Sequence, residues 1–182
     1  MATVVQIHLL LSNAFLIRGA RPILIDTGNP KDGKRLVAAL AKEGMQPNDL
    51  ALILHTHGHS DHCGSTCRLK ADTTAPTAIH PSDASALEDG LNPSTKPTCL
   101  TAKLLHWLVD PRFPSVRPDI LLPDGMDLEG FGVEGRVVYT PGHTAGSVSV
   151  LLNSGEAIVG DRLMGGWLGG LLRSRHPGYP YY

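Results

Sequence analysis

Val5, Ile7, Leu9 and Leu11 alternate with Gln6, His8 and Leu10, a period of two that predicts a half-buried strand. Ser12-Asn13 predicts a turn and Ala14–Ile17 a second strand. A continuous apolar run, Ile23-Leu24-Ile25, follows Arg21-Pro22 and ends at Asp26-Thr27-Gly28-Asn29-Pro30. These three strands read as a meander. The period then changes: Leu36, Val37, Leu40 and Ala41 fall at helical spacing within residues 31–43, and Gly44 ends the helix. Leu50–Leu54 reads as a buried strand with a histidine-rich stretch directly behind it.

The middle of the chain is less regular. Ala78-Ile79 predicts a short strand, and Ser82 is placed to cap a helix running to about Glu88. Residues 90–99, rich in Pro, Asn, Ser and Thr, read as a loop. Leu104, Leu105, Leu108 and Val109 predict a helix stopped by Pro111. Ile120–Leu122 is a short strand, followed by three clearer ones at Gly135–Tyr139, Ser147–Leu152 and Ala157–Val159. Strands, a helix, then a mixture of both indicate a layered α/β domain. The whole of residues 1–182 reads as one domain, long enough to bury a core.

A net charge of −1 without a Lys/Arg run predicts neither a nucleic-acid nor an anionic membrane surface. The run Leu9–Leu11 is too short to span a bilayer, and Met1-Ala2-Thr3 lacks the positive start of a signal peptide. Cys63, Cys67 and Cys99 are an odd count, which fits reduced thiols in a cytoplasmic protein. Cys63 and Cys67, four residues apart near a helix start, read as small buried thiols.

Chemistry concentrates at His55-Thr56-His57-Gly58-His59-Ser60-Asp61-His62, which holds four of the nine histidines. Imidazole and carboxylate are ligands of zinc and related divalent metals. A packed core has little use for so many adjacent ionisable groups. Alternate residues of an extended segment point the same way, so His57 and His59 can reach one ion. Asp61 and His62 can serve a second if the loop turns. His143 could complete three imidazoles around the first ion, and Asp161 could bridge both. Asp26, the 57–62 cluster, His143 and Asp161 all follow apolar strands, where open α/β sheets bind ligands.

At Asp26-Thr27-Gly28, Thr56–His62, Thr140-Pro141-Gly142-His143-Thr144-Ala145-Gly146-Ser147 and Gly160-Asp161, the chain resembles the metallo-β-lactamase-fold superfamily. The resemblance runs from about Asn13 to about Gly170. It implies an αββα sandwich of two mixed β-sheets flanked by helices, with the metal site at one edge. It also implies that His57, His59 and His143 hold the first metal, Asp61 and His62 hold the second, and Asp161 bridges. Asp26 would orient the histidine loop. Flavodiiron-type members carry Glu where His59 stands, so His59 favours hydrolysis. Asp161-Arg162-Leu163-Met164-Gly165-Gly166 is similar to a substrate loop of glyoxalase II-like members. The family supplies a last histidine after a further helix and strand, whereas only His176 lies downstream here. The resemblance therefore implies a C-terminally incomplete domain lacking that helix and strand. The apolar face left open would be a liability or a homodimer contact.

The resulting expectation is a zinc-dependent hydrolase of a small-molecule ester, thioester or lactone, holding one or two ions, with Fe2+ or Mn2+ as alternatives. A metal-bound hydroxide would attack, with Asp61 positioning the nucleophile or accepting its proton. One alternative is an oxidoreductase resembling persulfide dioxygenases, with a single iron on His57, His143 and Asp161. Another is a metal-binding protein impaired in catalysis, and a weaker one is a nuclease. His55 is read as support for the loop, and His8, His80 and His106 as surface or satisfied core residues. Trp167 is read equally as a substrate lip or part of a loose tail.

Overall fold

The computed structural model describes residues 2–93 and 111–163 of the chain. Six strands form a mixed sheet in the order β1 (Thr3–His8), β2 (Asn13–Arg18), β3 (Ile23–Ile25), β4 (Leu52–Leu54), β5 (Thr77–Ile79) and β6 (Ile120–Leu121). The first three are antiparallel, as a meander requires, and β3 to β6 run parallel. A second sheet holds β7 (Gly135–Tyr139), β8 (Val148–Leu152) and β9 (Ala157–Ile158), antiparallel over its described strands.

Side-chain alternation explains how the layers stack. Ile17, Ile23, Ile25, Leu52 and Leu54 face the second sheet and pack with Val137, Val148, Val150 and Ile158. Leu16, Leu24 and Ile53 point the opposite way. They meet Leu36 and Leu40 of α1 (Gly33–Lys42), the buried stripe of a helix that turns Lys34, Arg35 and Lys42 away from the core. All of these side chains except Ile158 are essentially inaccessible. Each contributes about 1.5–3 kcal/mol by burial. The chain thus forms the layered α/β domain that its pattern predicts, arranged as the sandwich that the resemblance implies.

Three local readings change. The first strand stops at His8 rather than continuing to Leu11, because the Leu9 N–H donates to the Ser12 carbonyl and closes a hairpin. Leu10 and Leu11 lie on its exposed tip, 63% and 59% accessible, so the alternation there reported a turn. Ser82 does not cap the helix after β5. Pro81–Asp83 form a 3-10 turn whose cap is His80, with Nδ1 accepting from the Ser82 N–H, and α4 (Ala84–Asp89) starts beyond it. Behind β4 the histidine stretch enters α2 (Ser60–Cys63) and then α3 (Thr66–Lys70). Cys63 is buried as expected, but Cys67 is exposed on the outer side of α3; both are free thiols.

The expected helix at 104–109, Cys99, His106, Trp167, His176 and the tail lie outside the described residues. Among the described residues, no helix is long and apolar enough to cross a membrane.

Candidate metal centre

Five strand ends supply the site. Asp26 follows β3, His55–His62 follow β4, Asp83 follows β5, His143 follows β7 and Asp161 follows β9. Backbone bonds tie these ends together. Asp26 N–H donates to Leu54 O at 2.9 Å, His55 N–H to Ala78 O at 2.8 Å, and Val148 N–H to Thr56 O at 2.8 Å. The last of these joins the two sheets beside the histidine loop.

Two groups of metal-type ligand atoms result. His57, His59 and His143 form one, and His57, His62 and Asp161 the other; within each, the atoms lie no more than 4.8 Å apart. His59 Nδ1 and His143 Nε2 converge to 2.9 Å. Asp161 of the second group also approaches the first, with Oδ1 3.1 Å from His62 Nε2 and Oδ2 3.6 Å from His143 Nε2. Asp61 sits at the edge. Its Oδ2 is 3.8 Å from His62 Nε2, its side chain is 32% exposed, and it belongs to neither compact group.

Asp26 organises the rings from below. It is fully buried and has φ of 62°, a left-handed conformation that a non-glycine residue adopts at a cost. Its Oδ1 accepts from Thr56 N–H at 2.8 Å, and its Oδ2 accepts from Thr56 Oγ1–H at 2.7 Å and from His62 Nδ1–H at 2.8 Å. The Thr56 hydroxyl has one proton, which the carboxylate takes. Toward His57 Nδ1, 3.0 Å away, Thr56 Oγ1 must therefore act as acceptor. That assigns the His57 proton to Nδ1 and leaves a lone pair on Nε2. His57 Nε2 is buried and makes no hydrogen bond. A buried imidazole lone pair among converging histidine nitrogens and a carboxylate is a donor set suited to a borderline divalent cation such as zinc.

Electrostatics divides the cluster. Burial lowers the His57 pKa well below the usual imidazole value, and the adjacent His62, His59 and His143 push it the same way. His59 is lowered to about 3 by burial, with His143 next in effect. His62 behaves oppositely. Burial opposes its charged form, but Asp161, Asp26 and Asp61 surround it and hold its pKa well above normal. Asp161 is correspondingly held low: burial resists ionisation, and the charge of His62 outweighs it. Neutral His57 and His59 are ready ligands, whereas His62 must give up a proton before it can bind a metal.

His55 stays out of the cluster. It is fully buried, its Nε2 meets Thr66 Oγ1 at 3.1 Å, and burial lowers its pKa to about 4. Cys63 lies beneath the histidines, donating to His57 O at 3.1 Å, and burial raises its thiol pKa well above normal. Sequence reasoning missed the role of Thr56 and passed over Asp83, which is 1% exposed. One signal could have found Asp83: it follows an apolar strand, as the other site residues do.

The sequence profile described as the metallo-beta-lactamase superfamily matches residues 9–161. The chain is 30% identical over 155 residues to a probable metallo-hydrolase of Methanocaldococcus jannaschii, covering 84% of this chain and 67% of that protein. It is 30% identical over 165 residues to a hydroxyacylglutathione hydrolase of Anaeromyxobacter dehalogenans, covering 91% of this chain and 49% of that enzyme. Among solved structures, a subclass B3 metallo-beta-lactamase of Bradyrhizobium japonicum superposes with a TM-score of 0.70 at 25% identity. That match covers 84% of this chain and 54% of the lactamase. The chain therefore spans about half to two thirds of the length of these three relatives.

Proposed function

The chain belongs to the metallo-beta-lactamase superfamily, and on that premise we propose that it is a zinc-dependent hydrolase of a small-molecule ester, thioester or lactone. One observation carries the reading. Two groups of ligand atoms share His57, whose Nε2 is buried with a lone pair and no hydrogen bond. We assign His57, His59 and His143 to a first ion and His62, Asp161 and Asp61 to a second, with Asp161 reaching both. Zinc at such a site supplies a Lewis acid that polarises the acyl oxygen and lowers the pKa of water.

The chain's own residues do the rest. Asp26 and Thr56 fix the ring tautomers, so that His62 and His57 present Nε2 rather than Nδ1 to the centre. Asp61, partly exposed at the rim, orients the attacking water through Oδ2 and accepts its proton. Asp161 holds its negative charge where the His62 and His143 rings converge. The similarity to a hydroxyacylglutathione hydrolase supports an acyl bond, and a thioester in particular, as the target.

The test is turnover of S-acyl-glutathione thioesters, aryl esters and lactones by zinc-loaded protein, beside His57→Ala. Turnover by the wild type that His57→Ala loses is expected. Equal background rates in both proteins would refute the reading. So would an iron-containing protein that consumes oxygen in the presence of thiols and hydrolyses nothing.

A further inference from the structure

The two ligand-bearing loops come from different sheets, yet their histidine nitrogens must meet within a few tenths of an ångström to share an ion. His57 and His59 follow β4 of the first sheet, and His143 follows β7 of the second. A single buried carboxylate spans the gap. Asp83 Oδ2 accepts from the Gly58 N–H at 2.9 Å, between the two histidines of the first loop. The same oxygen accepts from Thr144 Oγ1–H at 2.6 Å, and Oδ1 accepts from the Gly146 N–H at 2.8 Å, both on the His143 loop. Thr144 is further braced by Ser147, whose Oγ accepts from the Thr144 N–H at 3.0 Å.

Gly146 makes room for this carboxylate, and Gly58 for the chain that carries it. A Cβ on Gly146 would lie 2.5 Å from Asp83 Cγ and 2.6 Å from Oδ1. A Cβ on Gly58 would lie 2.8 Å from Ala86 Cβ and 3.3 Å from Asp83 Cβ. Both are closer than ordinary van der Waals contact, so the chain uses glycine where the backbone approaches Asp83. Neither glycine has the positive φ that would demand one on conformational grounds.

We propose that Asp83 is a positioning residue that sets the separation of the two loops and thereby the metal affinity of the His57, His59 and His143 site. The proposal rests on the assignment of those histidines as ligands, but not on hydrolysis. Asp83 holds the peptides between and beside those histidines. Outer partners of this kind tune metal affinity by about 10- to 100-fold.

Asp83→Asn tests the idea because no orientation of an amide satisfies all three donors. With its oxygen toward Gly58 and Thr144, its NH2 faces the Gly146 N–H; turned over, it faces the Gly58 N–H. Zinc affinity is measured by competition with a chromophoric chelator, and the visible ligand-field bands are recorded with one equivalent of cobalt(II). Circular dichroism of the chelated protein reports folding. Asp83→Asn is expected to weaken the first zinc equivalent about tenfold and to shift the cobalt bands, with the chelated fold intact. Thr144→Val, which removes one of the three bonds, should weaken zinc less, and Thr144→Ser should restore wild-type affinity. Wild-type affinity and an unchanged cobalt spectrum in both Asp83→Asn and Thr144→Val would overturn the proposal. Should Asp83→Asn fail to fold, Thr144→Val against Thr144→Ser decides: equal affinity overturns it, and a loss that serine rescues supports it. A protein that hydrolyses no acyl substrate yet shows these losses would defeat the hydrolase reading and leave the clamp standing. A hydrolase whose Asp83→Asn variant binds zinc normally would do the reverse.

Discussion

Thr56→Val isolates the hydroxyl that fixes the His57 tautomer. The change keeps the branched shape and replaces only the hydroxyl by a methyl. It removes a 2.7 Å bond to the Asp26 carboxylate and a 3.0 Å bond from His57 Nδ1–H, both fully buried. A hydrogen bond to a charged group contributes about 1.5–3 kcal/mol and a neutral one about 1 kcal/mol. Asp26 Oδ2 keeps its partner on His62, and Oδ1 keeps the Thr56 N–H, so the carboxylate is not abandoned. The His57 Nδ1–H is. The new methyl must also back away from a carboxylate oxygen that now sits at hydrogen-bond distance. Together these terms predict a loss of about 2–4 kcal/mol in the folding stability of the metal-free protein. They also predict zinc affinity lower by about 10- to 100-fold, because the ring is free to turn or to move its proton to Nε2. Urea unfolding in the presence of chelator measures the first, and competition with a chromophoric chelator measures the second. Thr56→Ser restores the hydroxyl and should recover most of both. A Thr56→Val protein with wild-type zinc affinity would refute the tautomer assignment, however its stability changed.

Four further outcomes follow from the structure. His55, with a folded pKa of about 4 against an ordinary 6.5, binds fewer protons folded than unfolded, so its contribution is present above pH 6.5 and is lost as pH falls toward 4. This amounts to about 3 kcal/mol. The chelated protein should lose stability across that range in urea titrations, and His55→Asn should flatten the dependence; an unchanged slope would count against a neutral buried His55. His57 and His59 are already neutral near pH 7, whereas His62 holds a proton there. In weakly buffered indicator solution the second zinc equivalent should release more protons than the first, because His62 must lose its proton to bind; the opposite order would contradict the division of the cluster. Leu54→Ala, deep between the sheets, should cost about 2–5 kcal/mol in denaturant midpoint analysis. Leu10→Ser, on the exposed hairpin tip, should stay within about 0.5 kcal/mol of wild type.

What the sequence could disclose depended on whether the information was local. The alternation at residues 5–7, the helical spacing at 36–41 and the apolar runs at 14–17, 23–25 and 52–54 became the elements they predicted, because burial on one face imposes a period and burial on both faces a run. The reading failed where an end had to be judged from within. Leu9–Leu11 continued a strand pattern through a hairpin, and Ser82 looked like a cap although the His80 imidazole takes that role. Both errors concern which backbone group meets which partner, and periodicity carries no record of that.

The candidate ligands were legible for a different reason: imidazole and carboxylate are conspicuous chemistry, and four of the residues stand within six positions of each other. Their supports are not conspicuous. Thr56 is one threonine among many, and its meaning comes from Asp26, 30 residues away. Asp83 reads as the end of a turn, and its meaning comes from Gly58 and Gly146, separated from it by 25 and 63 residues. Yet the supports do leave a trace. The glycines in Thr-His-Gly-His and Thr-Ala-Gly-Ser have no turn conformation to explain them, and each adjoins the path of a buried carboxylate. A glycine beside a metal-type histidine, in a segment without positive φ, therefore marks a close approach rather than a bend. Such a residue is a reason to search the rest of the chain for the group that approaches. For Gly58 and Gly146 that group is Asp83, an acidic residue beyond the end of a third strand.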